Sequence, residues 1–274
     1  NAAADGKIGL LILVGSDPLN DCPDTELARR AIAGARRIIS VDTHPSESTQ
    51  LADVVLAAAA YGEKSGTTTN LEGRVTTLAQ QVTASGTARP DWMIAVELAT
   101  SIGDRSFGAD HPLGNVATID DVTDAIAATA PLFPGVTREA LAASIDGVMS
   151  IQPAAALPGI EVEVAGRNSY DYRLVVSRKL YDRAVNTAMS PSIAKLAPGA
   201  GAHVHPLDLD GIGVDAGTDV KLISAKATAV LPVVANHNVP RGVVWAPFNQ
   251  SGAGSIEDII DAAAATTDVR IERI

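Results

Sequence analysis

Cysteine is nearly missing: Cys22 is the one example in 274 residues. No disulfide can close within the chain, and neither an iron-sulfur cluster nor a structural zinc can be held by a lone thiolate in the polar turn Asn20-Asp21-Cys22-Pro23. Such cysteine usage suits a reducing, cytosolic compartment. Aromatic residues are scarce at 3%, and cations are outnumbered, 21 Lys and Arg against 32 Asp and Glu, for a net charge of −11. No basic cluster relieves that charge, so nucleic acid and anionic lipid surfaces are excluded as expected partners. Apolar runs such as Ile8 to Val14 fall far short of the roughly 20 residues that cross a bilayer, and no membrane insertion is expected.

What remains is a chain 46% hydrophobic, much of it alanine, and 19% charged. That composition describes a folded globular chain whose small side chains favour close packing, with a length prior near two domains. The opening Asn1-Ala2-Ala3-Ala4-Asp5-Gly6 carries no basic region or apolar signal core and runs at once into a strand pattern. The expectation is a piece of a longer polypeptide whose chemistry lies outside these residues.

Ile8 to Val14, closed by Gly15-Ser16-Asp17-Pro18, reads as a strand buried on both faces. Thr25 to Arg37 carries Leu27, Ala28, Ala31, Ile32 and Ala35 at helical spacing. Arg37 to Asp42 and Ala52 to Ala59 follow as strands. Strand, helix and strand with short connections predict a βαβ unit and a parallel sheet. Gly62 to Arg74 is polar, punctuated by glycine and read as a loop, and a helix resumes at Pro90-Asp91. Short helices are expected at Ile119 to Thr129 and Thr137 to Ile145, separated by Pro131, Pro134, Pro153 and Pro158. Beyond Tyr170 come short strands at 172–177, 202–205, 220–224, 227–235, 242–246 and 269–274, with a helix at Ser255 to Ala265 opened by Ser255 and Asp258. So many short strands predict a small closed barrel. The fold class is therefore α/β: a Rossmann-like domain at 1–108, a linker with short helices at 109–166, and a β-barrel domain at 167–274.

In an open α/β sheet a nucleotide lies beyond the carboxyl ends of the strands. The candidate binding residues are accordingly Gly15, Asp17 and Pro18 after the first strand and Asp42 after the second. No G-x-G-x-x-G and no P-loop lysine accompany them. His203 and His205 flank Val204 and would share one face of a strand, a spacing open to metal, yet no acidic or cysteine partner stands at a convincing offset. Glu63, Asn70, Glu72 and Arg74 crowd the glycine-rich loop, where an ion pair that organises the loop outweighs acid-base chemistry. With no G-x-S-x-G elbow and no base beside Cys22, no catalytic residue is assigned and no metal site is expected.

The loop residues Glu63, Gly66-Thr67, Thr69-Asn70 and Glu72-Gly73-Arg74, followed by Gly86, Ala88-Arg89-Pro90-Asp91-Trp92 and Leu98-Ala99, resemble the E-x-x-G-T-x-x-N-x-E-G-R stretch of the molybdopterin oxidoreductase superfamily. Gly15 to Pro18, Val41-Asp42 and Ala52 to Leu56 are similar to that superfamily's third domain. Ser192 to Ala197, His205 to Asp208, Ile212-Gly213-Val214 and Pro240 to Pro247 are similar to its C-terminal barrel of the double-psi type. Within the superfamily the sequence most resembles the large iron-sulfur, or G, subunits of bacterial NADH-quinone oxidoreductase, respiratory complex I. That resemblance implies a C-terminal scaffold portion without clusters or active site, in a subunit whose N-terminal part binds 4Fe-4S and 2Fe-2S clusters. It further implies other peripheral-arm subunits as partners and a peripheral place on the cytoplasmic face of the plasma membrane. Molybdenum enzymes of the superfamily hold a guanine dinucleotide of molybdopterin at a turn that is often Asn-Pro. Here the turn is Asp17-Pro18, and a carboxylate beside a pyrophosphate repels it, so the crevice is expected to be vestigial. The alternative is the half of an active formate dehydrogenase or nitrate reductase type enzyme that grips this cofactor.

Overall fold

The N-terminal strand β1 (Leu11–Val14) ends at Gly15, whose φ of +54° turns the chain into a single helical turn α1 (Pro18–Asp21) and then α2 (Thr25–Gly34). This computed structural model describes residues 1–102, 116–151, 166–167, 171–252 and 254–274. Asp24 caps α2 by accepting a hydrogen bond from the Leu27 N–H at 2.9 Å. Strand β2 (Ile38–Asp42), the short α3 (Glu47–Gln50) and β3 (Val54–Ala57) complete a three-stranded sheet in the order β1-β2-β3. The parallel α/β sheet expected from the alternating pattern is present. Leu13, Ile32 and Ile38 form its buried cluster, with Leu11, Leu19, Ala35 and Ala52 packed around them.

One expectation fails here. Strand β1 is buried on a single face, with Ile12 42% and Val14 58% exposed, so its run of apolar residues does not mean burial on both. The turn into β3 is held by Asp53, which accepts hydrogen bonds from the Ile38 N–H at 2.8 Å and from Arg37 Nη1 at 2.9 Å. The Ile38 bond foremost, opposed by desolvation and joined by the Arg37 hydrogen bond and charge, holds the Asp53 carboxyl below the usual carboxylate range.

The stretch read as a loop is a β-hairpin, β4 (Gly66–Thr69) and β5 (Arg74–Leu78), paired antiparallel with Thr68 opposite Thr76. Its turn is built by Asn70, whose Oδ1 accepts from the N–H groups of Glu72 and Arg74, both at 2.9 Å, while Gly73 takes a φ of +81°. Helix α4 (Asp91–Ile102), α5 (Ile119–Thr129) and α6 (Arg138–Ala143) follow, and β6 (Val148–Met149) joins the edge of β5. Val75, Val136 and Leu141 form a small core with Phe133 and Val148. Pro153, Pro158 and the boundary expected near residue 108 lie outside the described residues.

From β7 (Tyr172–Ser177) onward the chain winds into a closed barrel. After it come α7 (Val185–Ala188), β8 (Ala202–Val204), α8 (Pro206–Ile212), β9 (Asp219–Ile223), β10 (Thr228–Ala235), β11 (Val243–Pro247) and β12 (Thr267–Arg273). The order around the barrel is β10-β8-β11-β7-β12-β9. The pairs β10 with β8 and β11 with β7 are parallel, and the other four are antiparallel. Alternation of period two places Val220, Leu222, Leu231, Val204 and Val244 inside with no exposed surface, and Ile259 is equally covered. The helix expected at Ser255 to Ala265 is reduced to one 3-10 turn, Glu257–Ile259. Asp258, the expected capping-box partner of Ser255, is drawn instead to Thr25 Oγ1 at 2.9 Å and to Arg29 at 3.3 Å, while Ile256 and Ile259 sink into the barrel core.

By internal packing the chain divides into one unit of residues 1–39, 44–53 and 160–274 and another of 40–43 and 54–159. Replacing Leu222 by Ala removes a side chain without exposed surface and is expected to cost about 2–5 kcal/mol, read as a lower urea midpoint at unchanged slope. For Asp53, a lowered folded pKa stabilises above the unfolded value near 3.9 and loses that contribution as pH falls through the folded value. Asp53→Asn is therefore expected to lower the melting temperature at pH 7, with the difference from the parent closing below about pH 4.

Candidate functional site

The turn after β1 is a closed hydrogen-bonded unit. Asp17, 5% exposed, does not cap its own helix with its side chain. Its Oδ1 accepts from Ser48 Oγ at 2.5 Å and from the Ser48 N–H at 3.2 Å, and its Oδ2 accepts from Asn20 Nδ2 at 2.6 Å. Its carbonyl accepts from the N–H groups of Asn20 and Asp21 at 3.0 and 2.8 Å. Ser48 in turn accepts from the Leu19 N–H at 3.3 Å. Ser48 can serve this way because the start of α3 is rigid: Ser46 and Thr49 form a reciprocal capping box, and all three side chains are buried. Pro18 sets the first helical position of α1, where its missing N–H costs nothing.

The carboxylate of Asp17 thus bridges two segments and has no face left for an anion. Gly15 lies in the same turn with no atom within 4 Å of where a Cβ would stand, so its glycine is required by φ, not by space. Asp42 belongs to the other unit, where its Oδ1 accepts from its neighbour's N–H, that of Thr43, at 2.7 Å. The first three candidate residues are therefore brought together in one turn, and Asp42 is placed separately at the end of β2.

In the unit that contains Asp17, the barrel loop after β7 supplies cations, and each is matched internally. Arg178 donates to Asp21 Oδ1 at 2.7 Å and to Asp182 Oδ2 at 2.9 Å, and its guanidinium lies 5.5 Å from the Phe248 ring centre. Asp182, 6% exposed, also accepts from the Ala184 N–H at 2.8 Å. Arg183 donates to Glu47 Oε1 at 3.3 Å, while its backbone N–H donates to the Asn249 carbonyl at 2.9 Å. Lys179 sits 4.4 Å from the centre of the Trp245 ring, a cation–π contact.

The end of β11 carries two buried amides. Gln250 accepts from the Gly199 N–H at 3.2 Å and donates to the Tyr181 carbonyl at 3.1 Å. Asn249 has a φ of +53°, its N–H donates to Glu257, and its Nδ2 is buried without a partner. Apart from Ser40 Oγ it is the one such atom among the described residues. An orphaned buried donor of this kind costs about 1–3 kcal/mol and marks a place where a ligand or water acceptor would be welcome.

His203 and His205 part company. His203 stays on β8 with its ring 4.5 Å from Trp245, and burial foremost, then Lys179, pulls its pKa below the usual histidine value. His205 caps α8, accepting from the Leu207 N–H at 3.2 Å, with its ring 5.8 Å from that of His237. Among the described residues no group of three or more His, Cys, Asp or Glu is arranged to hold a metal. In the hairpin, Arg74 lies 3.7 Å from Glu72 and donates to the Asp146 carbonyl at 3.2 Å, whereas Glu63 accepts from the Ala60 N–H. Sequence reasoning passed over Ser48, Asn249 and Gln250. The spacing Ser46-x-x-Thr49 carried a local signal for the first, and nothing local marked the amides.

Comparison with known proteins agrees with this architecture. Residues 1–101 match the model of the molybdopterin oxidoreductase family, and residues 175–270 match that of the molydopterin dinucleotide binding domain. The chain is 28% identical over 272 residues to the NADPH-Fe(3+) oxidoreductase subunit alpha of Geobacter sulfurreducens, covering 98% of this chain and 30% of that protein. It is 29% identical over 246 residues to the second NADH-quinone oxidoreductase G subunit of Rhizobium meliloti, covering 89% of this chain and 28% of that one. It therefore spans less than a third of these curated relatives. Acetylene hydratase from Pelobacter acetylenicus shares the fold over all of this chain and 46% of its own, with a TM-score of 0.71 and 14% identity. Among the described residues no helix is long and apolar enough to cross a membrane. The start of the chain is thus similar to the molybdopterin oxidoreductase domain and its end to the molydopterin dinucleotide binding domain.

Proposed function

We propose that this chain is the C-terminal scaffold and interaction portion of a complex I-type G subunit. In that reading it contributes no cluster and no reacting group to NADH-to-quinone electron transfer and proton translocation. The observation that carries the reading is Asp17. A resident dinucleotide would need donors for its pyrophosphate at the turn after β1. The turn instead presents a buried carboxylate already saturated by Ser48 and Asn20. Arg178 and Arg183, which could have met phosphates, are consumed by Asp21, Asp182 and Glu47. The residues present do not fit the cofactor, and Gly15, Asp17 and Pro18 in their turn, and Asp42 in its own unit, are then each vestiges of a nucleotide site.

The exposed apolar residues Ile12 and Val14 on β1 support a packing role, since a face of this kind is ordinarily covered by another segment or chain. Partners would be other peripheral-arm subunits, the place the cytoplasmic face of the plasma membrane, and the 4Fe-4S and 2Fe-2S clusters the property of the rest of the subunit.

One observation favours a second reading, the cofactor-gripping half of an active molybdopterin guanine dinucleotide oxidoreductase of the formate dehydrogenase or nitrate reductase type. The unpartnered Asn249 amide lies on the dinucleotide binding domain, where it could donate to such a group.

Elemental analysis of the purified protein, with mass spectrometry of any pterin released on denaturation, separates the two. No stoichiometric molybdenum or pterin is expected, and finding either overturns the proposal in favour of the second reading. Asp17→Asn, which restores the Asn-Pro pair, is expected to lose about 1–2 kcal/mol of stability and to gain no calorimetric heat with guanosine diphosphate. A gain of saturable binding would mean that the turn retains a nucleotide site.

A further inference from the structure

In a chain of net charge −11, the foot of the barrel gathers three arginines around one cleft of about 630 Å³, within the size range of small-ligand sites. Arg167, Arg241 and Arg270 line it together with Tyr172, over a wall that includes Ile212 and Ile271. It is separate from the crevice at Asp17 and its neighbouring arginines. Tyr172 opens β7 and Arg178 follows its end, so at about 3.3 Å per residue the two stand roughly 20 Å apart.

The cleft is organised by a buried carboxylate. Asp208, 6% exposed, accepts from Arg241 Nε at 2.9 Å with one oxygen and from the Gly242 N–H at 2.7 Å with the other. Both oxygens are thereby engaged, and Arg241 is anchored through Nε while its terminal amines stay without a protein partner among the described residues. Arg270 is paired with an acid as well, its Nε lying 2.8 Å from a Glu272 carboxylate oxygen. Arg167 reaches the Gly242 carbonyl and lies where a Cβ on residue 242 would stand. Gly242 is required by its backbone, at a φ of +75°. Burial foremost, then the nearby Asp208 charge, keeps the Tyr172 phenol protonated to higher pH than usual, so its hydroxyl remains a donor at neutral pH. Asp171 also borders the cleft and is engaged in an interaction of its own.

We propose that this cleft is a binding site for the phosphate group of a small phosphorylated ligand, with Arg241 and Arg270 as its principal donors and Tyr172 and Arg167 beside them. Guanidinium forks present their outer amines to tetrahedral oxyanions in bidentate fashion, a geometry that lysine cannot supply, and that of Arg241 is anchored at Nε. The apolar wall gives the rest of such a ligand something to pack on.

Isothermal titration of the protein with adenosine 5′-monophosphate, inorganic phosphate and adenosine tests this. Both phosphate probes are expected to bind saturably and adenosine not at all. Arg241→Gln is expected to weaken the nucleotide by about tenfold or more, the loss of one charge-assisted contact. Because Arg241→Gln leaves Asp208 without its cation and could unfold the barrel, Arg270→Gln serves as the second variant, since its partner Glu272 is partly exposed. Lys179→Gln, on the Trp245 face, is expected to leave binding unchanged. Absence of saturable binding by both phosphate probes at millimolar concentration, or affinities unaltered in folded Arg270→Gln, overturns the proposal.

Discussion

Closure of the six-stranded barrel is the constraint on which the rest depends. A barrel this small has an interior just wide enough for side chains, and aliphatic residues occupy it, Val204, Val220, Leu222, Leu231 and Val244 among them. Function can then sit only at the two ends or on the outer face. The two parallel pairs, β8 with β10 and β7 with β11, force long connections instead of hairpins. Those connections carry the polar groups of both ends: the stretch after β7 holds Arg178 and Asp182, and α8 holds Asp208.

A second regularity follows from the acidic composition. Excess carboxylates are tolerable if they are spent on backbone N–H groups and guanidinium partners, and the buried ones are. Asp17 joins two segments of the α/β part, Asp182 shapes the turn before α7, and Asp208 holds Gly242 and Arg241. Each is more than nine-tenths covered and multiply hydrogen-bonded, which is what makes burial of a charge bearable. The same chemistry has opposite consequences at the two ends of β7. At one end Arg178 and Arg183 are paired with Asp21, Asp182 and Glu47. At the other, Asp208 and Glu272 meet Arg241 and Arg270 at Nε, not at the outer amines.

Much of the fold is written in local periodicity. The 3.6-residue spacing of Ala28, Ile32 and their neighbours, and the strict alternation in Val220-Lys221-Leu222, are visible without any tertiary information, and both elements are found where the spacing predicts. Failures come where long-range contacts overrule local signals. The helix expected from Ser255 is diverted because Thr25 and Arg29, distant in sequence, take Asp258 away from its cap. Glycine and threonine between Gly62 and Arg74 suggested an irregular loop, yet threonine is well suited to a strand with one exposed face, and Asn70 supplies the turn through its side chain. Strand β1 looked buried on both faces because an apolar run records only that a face can be covered. It does not say by what.

The candidate site was legible by position and not by chemistry. Topology alone puts Gly15, Asp17 and Pro18 beyond the end of a strand in an α/β sheet, which is where ligands bind in such folds. Whether the acid there would meet a ligand depends on Ser48, 31 residues away, and no pattern around Asp17 announces that partner. An acid in a nucleotide crevice is ambiguous in sequence, since it can accept from a ribose hydroxyl or from the protein itself. Burial and saturation remove the ambiguity, because a carboxylate that already accepts three hydrogen bonds gains nothing from a hydroxyl and repels a phosphate. The arginines of the other cleft show the converse. Arg167, Arg241 and Arg270 are scattered over a hundred residues, and only barrel closure, by bringing the start of β7 beside α8 and the middle of β12, turns isolated cations into a set.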